Sequence, residues 1–282
     1  MLNLLYSKDR KMDAEQNIEF YDVNFWFGEN YLSEKYTLNE KNTIEVLLKR
    51  KETSNIGFTL LSNFLSYFYN PKIGNGQTSK LISMDEFKKA GAFGALFMEQ
   101  EFFYNPDYFE SWLQKSYESG FRILRIFPKT HKYPFEISMY NSFYEVLNSF
   151  NFPLMISIDE LDITGNKNIE WDKIADIADV YDNMPIIIDG GQSKELMYNC
   201  FILSLLNNTS NVYFETHNLL GFNQIEDLAN FKGSDRLIFG SAHPVFDDSL
   251  GVSRILNSSL GIKDKSKIAS FNIKNIIDNI II

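Results

Sequence analysis

The chain has 282 residues, room for a large hydrophobic core and close to the roughly 250 residues of a one-domain α/β barrel. Hydrophobic residues make up 44% and charged residues 23%, the balance of an ordinary globular protein. A formal net charge of -10 excludes the basic surface that phosphate neutralisation needs, so nucleic acid is not an expected partner.

The opening stretch is read as an N-terminal extension over residues 1–16, because its short apolar run is followed by charges and does not form a signal peptide. No run reaches the ~20 apolar residues of a membrane span, so no membrane partner is expected. From residue 17 onward, short apolar runs alternate with amphipathic stretches. Ile18–Phe25 reads as the first strand and residues 39–52 as a helix. Gly57–Leu61 is a second strand, and the Asn/Gly-rich patch at 70–77 reads as a loop. Gly94–Met98 is a third strand, with a helix at 106–119. Phe121–Phe127 is a fourth, closed by Pro128, with a helix at 139–150.

Pro153–Asp159 and Pro185–Asp189 supply strands five and six, with helices near 170–182 and 194–206. The lone cysteine, Cys200, sits in the second of these among Leu196, Met197 and Phe201, and reads as a packing residue. One thiol closes no internal disulfide, which suits a cytoplasmic setting. Asn211–His217 is strand seven, followed by a helix near 224–232. Arg236–Gly240 is strand eight, and helices near 247–257 and 264–279 end the chain. Eight apolar strands, each followed by a helical segment, predict a parallel sheet closed into a single (β/α)8 barrel over 17–282. A doubly wound open sheet is the second choice.

In such a barrel the active site lies where the strands end. Asn24, Trp26, Asn63, Glu99, Glu101, Arg125, Lys129, His131, Ser157, Asp159, Asp189, Glu215, His217, Ser241 and His243 stand at those positions, and they include all three histidines of the chain. Asp159, Asp189 and Glu215 end three consecutive strands. A carboxylate beside a core needs a partner or water. Facing inward, these three would make an acidic arc balanced by Arg125; the alternative is an ion-pair network that merely closes the barrel. His217 and His243 read equally as hydrogen-bonded structural residues, and His131 as a loop residue.

Six segments in order resemble the amidohydrolase-related metal-dependent hydrolases. Tyr21–Gly28 is similar to the opening D-x-H-x-H-x-G signature, and Tyr69–Asn75 to the loop after strand two. Arg122–Pro134 resembles the strand-four segment, Pro185–Gly191 the strand-six segment, Arg236–Pro244 the R-x-L-F-G-[ST]-D-x-P hallmark, and Ile268–Asn272 the terminal helix. The resemblance implies a TIM barrel of the metal-dependent hydrolase type. It also implies a divalent ion held by two histidines on strand one, histidines at strands five and six, and an aspartate at strand eight. This chain has Asn24 and Trp26, then Ser157 or Asp159, then Asp189, then Ala242 at those places. Tryptophan and alanine cannot ligate zinc, so the expectation is a site without the usual metal and with no cofactor.

Three functional readings follow. The first is a hydrolase or lyase acting on a small anionic molecule, with Asp189, Glu215, His243 and Asp159 as catalytic groups. Asn24, Trp26, Arg125, His131 and His217 would bind its substrate. The second is a non-catalytic small-molecule binder. The third is a hydrolase with a displaced divalent ion on Asp159, Asp189, Glu215, His217 and His243. The resemblance also admits a homodimer.

Overall fold

The computed structural model describes residues 18–133, 136–158, 171–189 and 200–282. Eight strands form one parallel sheet in the order β1 to β8. They are β1 Phe20–Phe27, β2 Ile56–Asn63, β3 Ala92–Phe97, β4 Phe121–Ile126, β5 Leu154–Ser157, β6 Ile186–Asp189, β7 Val212–Glu215 and β8 Leu237–Ile238. The sheet closes on itself through backbone contacts from β1 to the segment after β8. Trp26 N–H donates to the His243 carbonyl at 2.7 Å, Val23 N–H to the Phe239 carbonyl at 3.3 Å, and Phe25 bridges to His243. This is the expected (β/α)8 barrel.

Strand eight is short because its continuation pairs with a helix instead of a strand. Lys267–Phe271 is a π-helical turn, and Phe239 N–H donates to the Ile268 carbonyl at 3.0 Å. The stretch 70–77, expected to be a loop, belongs to the helix Pro71–Ser83. Asn70 caps it by accepting from the backbone N–H groups of Lys72 and Ile73, and Pro71 suits the first turn, where no N–H partner is needed. The glycine there has a packing reason: a Cβ on Gly74 would lie 2.0 Å from Ser66 Oγ. Two short helices, Phe64–Phe68 and Asp85–Lys89, add to the expected set, whereas the helix near 224–232 falls at Gln224–Lys232. The N-terminal extension, Asp159 and most of the stretch 190–200 lie outside the described residues.

Strand alternation splits the core into two layers. Leu124, Ile126, Leu154, Ile156, Ile186 and Ile188 face the helices. Val23, Leu60, Ala95, Ile123, Met155, Ile187 and Ile238 fill the barrel's interior. On β1 the alternation breaks where the pairing with β2 shifts register between Asp22 and Phe25. Before the shift Val23 points inward; after it Trp26 does, and Phe25 and Phe27 join the outer layer. Such a bulge re-aims side chains. Here it turns Asn24 toward the interior and leaves Asp22 facing the helix Glu40–Ser54, whose Arg50 it meets. Among the described residues, no helix is long and apolar enough to cross a membrane.

Candidate active site

Above the apolar floor of the barrel lies Arg125, only 2% exposed. Its place on β4 follows from the inward alternation Ile123, Arg125, Phe127. A guanidinium this deep must have its donors occupied, and it does. Nε donates to Ser157 Oγ at 2.9 Å, Nη1 to Ser62 Oγ at 2.9 Å and to Asn24 Oδ1 at 3.0 Å, and Nη2 to Asp189 Oδ2. Its planar group also lies over aromatic rings, 4.5 Å from the centre of Trp26 and 5.2 Å from that of Phe127. Trp26, Phe64, Tyr67, Phe97 and Phe127 pack into one cluster on the β1–β4 side. Polar chemistry is therefore displaced toward β5–β8.

There, β5 and β6 are aligned with Ser157 beside Asp189, and Ser157 Oγ donates to Asp189 Oδ2 at 2.6 Å. Glu215 ends β7 fully buried, and its carboxylate accepts from the His217 backbone at 2.7 Å and from His217 Nδ1. His217 Nδ1 also stands 3.3 Å from Asp189 Oδ1. Gly240 is needed for this arrangement: a Cβ there would lie 2.1 Å from Glu215 Oε1. Arg254 holds the turn after β7 through the carbonyls of His217 and Leu219, at 3.1 and 2.6 Å.

The two carboxyls are driven apart. Burial pushes Asp189 up, but the Arg125 charge, with help from His217 and Ser157, outweighs it and holds Asp189 below the ordinary aspartate range. Burial likewise pushes Glu215 up. His217 opposes that, the Asp189 charge adds to it, and the net shift is upward. Neighbouring carboxyls with divergent proton affinities are the usual arrangement for acid–base work.

Asn24 completes the site. Its Nδ2 lies 3.2 Å from Asp189 Oδ1, 3.1 Å from Glu215 Oε2 and 3.3 Å from His217 Nδ1. Its Oδ1 accepts from Trp26 Nε1 at 2.9 Å as well as from Arg125. The structure thus brings together seven of the residues expected from strand ends: Asn24, Trp26, Arg125, Ser157, Asp189, Glu215 and His217. Asp159 lies outside the described residues.

The other two histidines are elsewhere. His131 Nε2 lies 3.0 Å from the Tyr67 carbonyl, beside the aromatic cluster. His243 stacks on Phe25, with Nδ1 3.4 Å from Asp248 Oδ1. It belongs to a second buried network that sequence reasoning missed. Arg50 pairs with Asp22 and with Asp248 at 2.8 Å, and Ser241 Oγ donates to Asp22 at 2.6 Å. The signal was present: Arg50 continues the buried stripe of Ile44 and Leu47 on its helix. Asn63 caps the helix Phe64–Phe68, Glu99 accepts from Asn75, and Glu101 pairs with Lys72 on the surface.

The expected absence of a cofactor is corrected on two grounds. Asp189, Glu215 and His217 each offer a ligand atom, and these atoms lie within 4.8 Å of one another. Two carboxylates and an imidazole suit a hard or borderline divalent ion such as manganese, so the donor set fits by its chemistry. None of the three sits on strand one; all three stood, with Asp159 and His243, in the wider set expected to hold a displaced ion, and His243 lies instead beside Asp248. Ala242, in the place of the strand-eight aspartate, takes a left-handed backbone with φ 54°.

The second ground is comparative. No family model matches the sequence, and no curated protein does. Solved structures do match. The 2,6-dihydroxybenzoate decarboxylase of Rhizobium aligns over 92% of this chain and 98% of its own, at 13% identity and TM-score 0.67. The 5-carboxyvanillate decarboxylase of Novosphingobium aromaticivorans, complexed with manganese and a nitrobenzoic acid, aligns over 94% and 97%, at 12% identity and TM-score 0.70. A Staphylococcus aureus protein assigned to the amidohydrolases aligns over 92% and 99%, at 12% identity and TM-score 0.68. Manganese is bound in a further decarboxylase of this fold as well. The chain accordingly has the (β/α)8 barrel fold of these solved structures.

Proposed function

We propose that this protein is a lyase or hydrolase of small anionic molecules, working at the Asp189–Glu215–His217 constellation with a divalent ion as cofactor. The observation that carries the reading is the convergence of these three groups at the C-terminal ends of β6 and β7, with the two carboxyls shifted in opposite directions. Asp189, Glu215 and His217 would hold the ion. When bound, it would supply positive charge to an anionic substrate oxygen. Arg125 and Ser157 keep Asp189 ionised and in place. In the metal-free protein His217 Nδ1 and Glu215 Oε2 are hydrogen-bonded to each other, a contact that binding of the ion through those atoms would replace. Arg254 positions His217 through its carbonyl.

The solved neighbours favour an aromatic carboxylic acid as substrate and loss of its carboxyl group as the reaction. In that reaction the ring carbon would gain a proton from solvent, the bond to the carboxyl carbon would break toward the ring, and carbon dioxide would depart. The test is turnover of a panel of hydroxybenzoates, and of simple amides and lactones, with manganese added. Activity in the wild type that falls at least 100-fold in Glu215→Gln, with the fold retained, is the expected outcome. No turnover of any panel member, with or without manganese, defeats the enzyme reading. The binder reading then takes its place. One observation favours it: Arg125 and Asn24 already neutralise Asp189 within the protein.

A further inference from the structure

The position of the Asn24 amide has a consequence for metal occupancy that rests on the donor set just proposed. Nδ2 stands 3.1–3.3 Å from one atom each of Asp189, Glu215 and His217, the same three groups whose ligand atoms converge. An amide has two N–H bonds. His217 Nδ1 is engaged with Glu215 Oε2, so the two amide hydrogens serve Asp189 Oδ1 and Glu215 Oε2. These are oxygens that an ion would need.

The amide is not free to present its oxygen instead. Oδ1 accepts from both Trp26 Nε1 and Arg125 Nη1, at 2.9 and 3.0 Å. Turning the amide over would set its N–H groups against two donors in a site that is only 1% exposed at Asn24. Arg125 is itself anchored by Ser62, Ser157 and Asp189, and it packs on Trp26. The partial positive end of the amide is thus held, by buried groups, at the place where positive charge is wanted.

The geometry points to Asn24 as an internal competitor for the divalent ion: its amide nitrogen stands in for the cation in the metal-free protein and must withdraw before Asp189, Glu215 and His217 can ligate one. The residue therefore sets metal affinity without being a ligand. The metal-free protein is stabilised by the amide, and manganese must displace it.

The experiment measures manganese binding, not activity. The full-length protein is stripped with chelator, and free manganese is followed by its electron paramagnetic resonance signal during titration. Wild type, Asn24→Ala, Asn24→Asp and Asp189→Asn are compared. Asn24→Ala removes the competing N–H groups, and Asn24→Asp keeps an acceptor for Trp26 and Arg125 while placing an oxygen among the donors. Both are expected to bind manganese at least tenfold more tightly than wild type, and Asp189→Asn to bind at least tenfold more weakly than wild type. Asn24→Asp should also melt below wild type when stripped, from like-charge repulsion, and regain that loss on adding manganese. Equal manganese affinity in wild type and both Asn24 variants, with loss in Asp189→Asn, would overturn the competitor role while leaving the donor set standing. Absence of binding in every protein, Asn24→Asp included, would overturn both. If Asn24→Ala does not fold, Asn24→Ser, too short to span the donors, takes its place under the same tenfold criterion.

Discussion

Replacing Arg125 with methionine tests the heart of the site. Arg125 is 2% exposed and donates to Asp189, Asn24, Ser62 and Ser157. Methionine approximates its length and keeps contact with Trp26 and Phe127, so the loss is chiefly that of charge and hydrogen bonds. It leaves Asp189 buried with its main counter-charge gone. Breaking a buried ion pair from one side costs about 3–5 kcal/mol, whereas replacing both partners with apolar residues is often near neutral. At about 2–3 °C per kcal/mol for a chain of this size, Arg125→Met should lower Tm by roughly 6–15 °C. The double variant Arg125→Met/Asp189→Leu should lose less than the sum of the two single variants, with a coupling of about 2 kcal/mol between the sites. Urea unfolding of the four proteins in the cycle gives the number. A single-variant loss under about 1 kcal/mol, or a double-variant loss equal to the sum of the singles, would refute the claim that this pair is a dependent buried unit.

Two further outcomes follow from particular contacts. Gly240→Ala pushes a methyl into the Glu215 carboxylate. It should cost about 1–3 kcal/mol in the wild-type background but clearly less beside Glu215→Ala, and equal cost in both backgrounds would show that the crowding lies elsewhere. Asp248 reports on the second network. Burial raises its pKa, but His243 and Arg50 outweigh this and hold it below the ordinary aspartate value. A depressed carboxyl contributes stability that is present above its unfolded value, about 3.9, and lost as pH falls through the folded value. The urea midpoint of wild type should therefore exceed that of Asp248→Asn near neutrality, and the gap should narrow on acidification below about pH 4. A gap that stays constant or widens would contradict the assignment.

The amino-acid sequence by itself determined the architecture. Eight short apolar runs separated by helical stretches specify parallel strands and their crossovers, because a strand buried on both faces must be apolar throughout. The rule that function gathers at strand ends also picked out Asn24, Arg125, Asp189, Glu215 and His217 before any contact was known. Only the tertiary structure decided how they meet. Asn24 and Trp26 face inward because the pairing of β1 with β2 slips after Asp22, and alternation along one strand cannot report a slip that depends on its neighbours. The same slip leaves Asp22 to Arg50, and His243, adjacent in sequence to the strand-eight ligand position, goes with that second network. The donor trio was legible only as part of a wider set with Asp159 and His243. Asp189 and Glu215 end β6 and β7 and His217 follows β7, and which donor atoms converge is set by the closure of the barrel, not by local sequence.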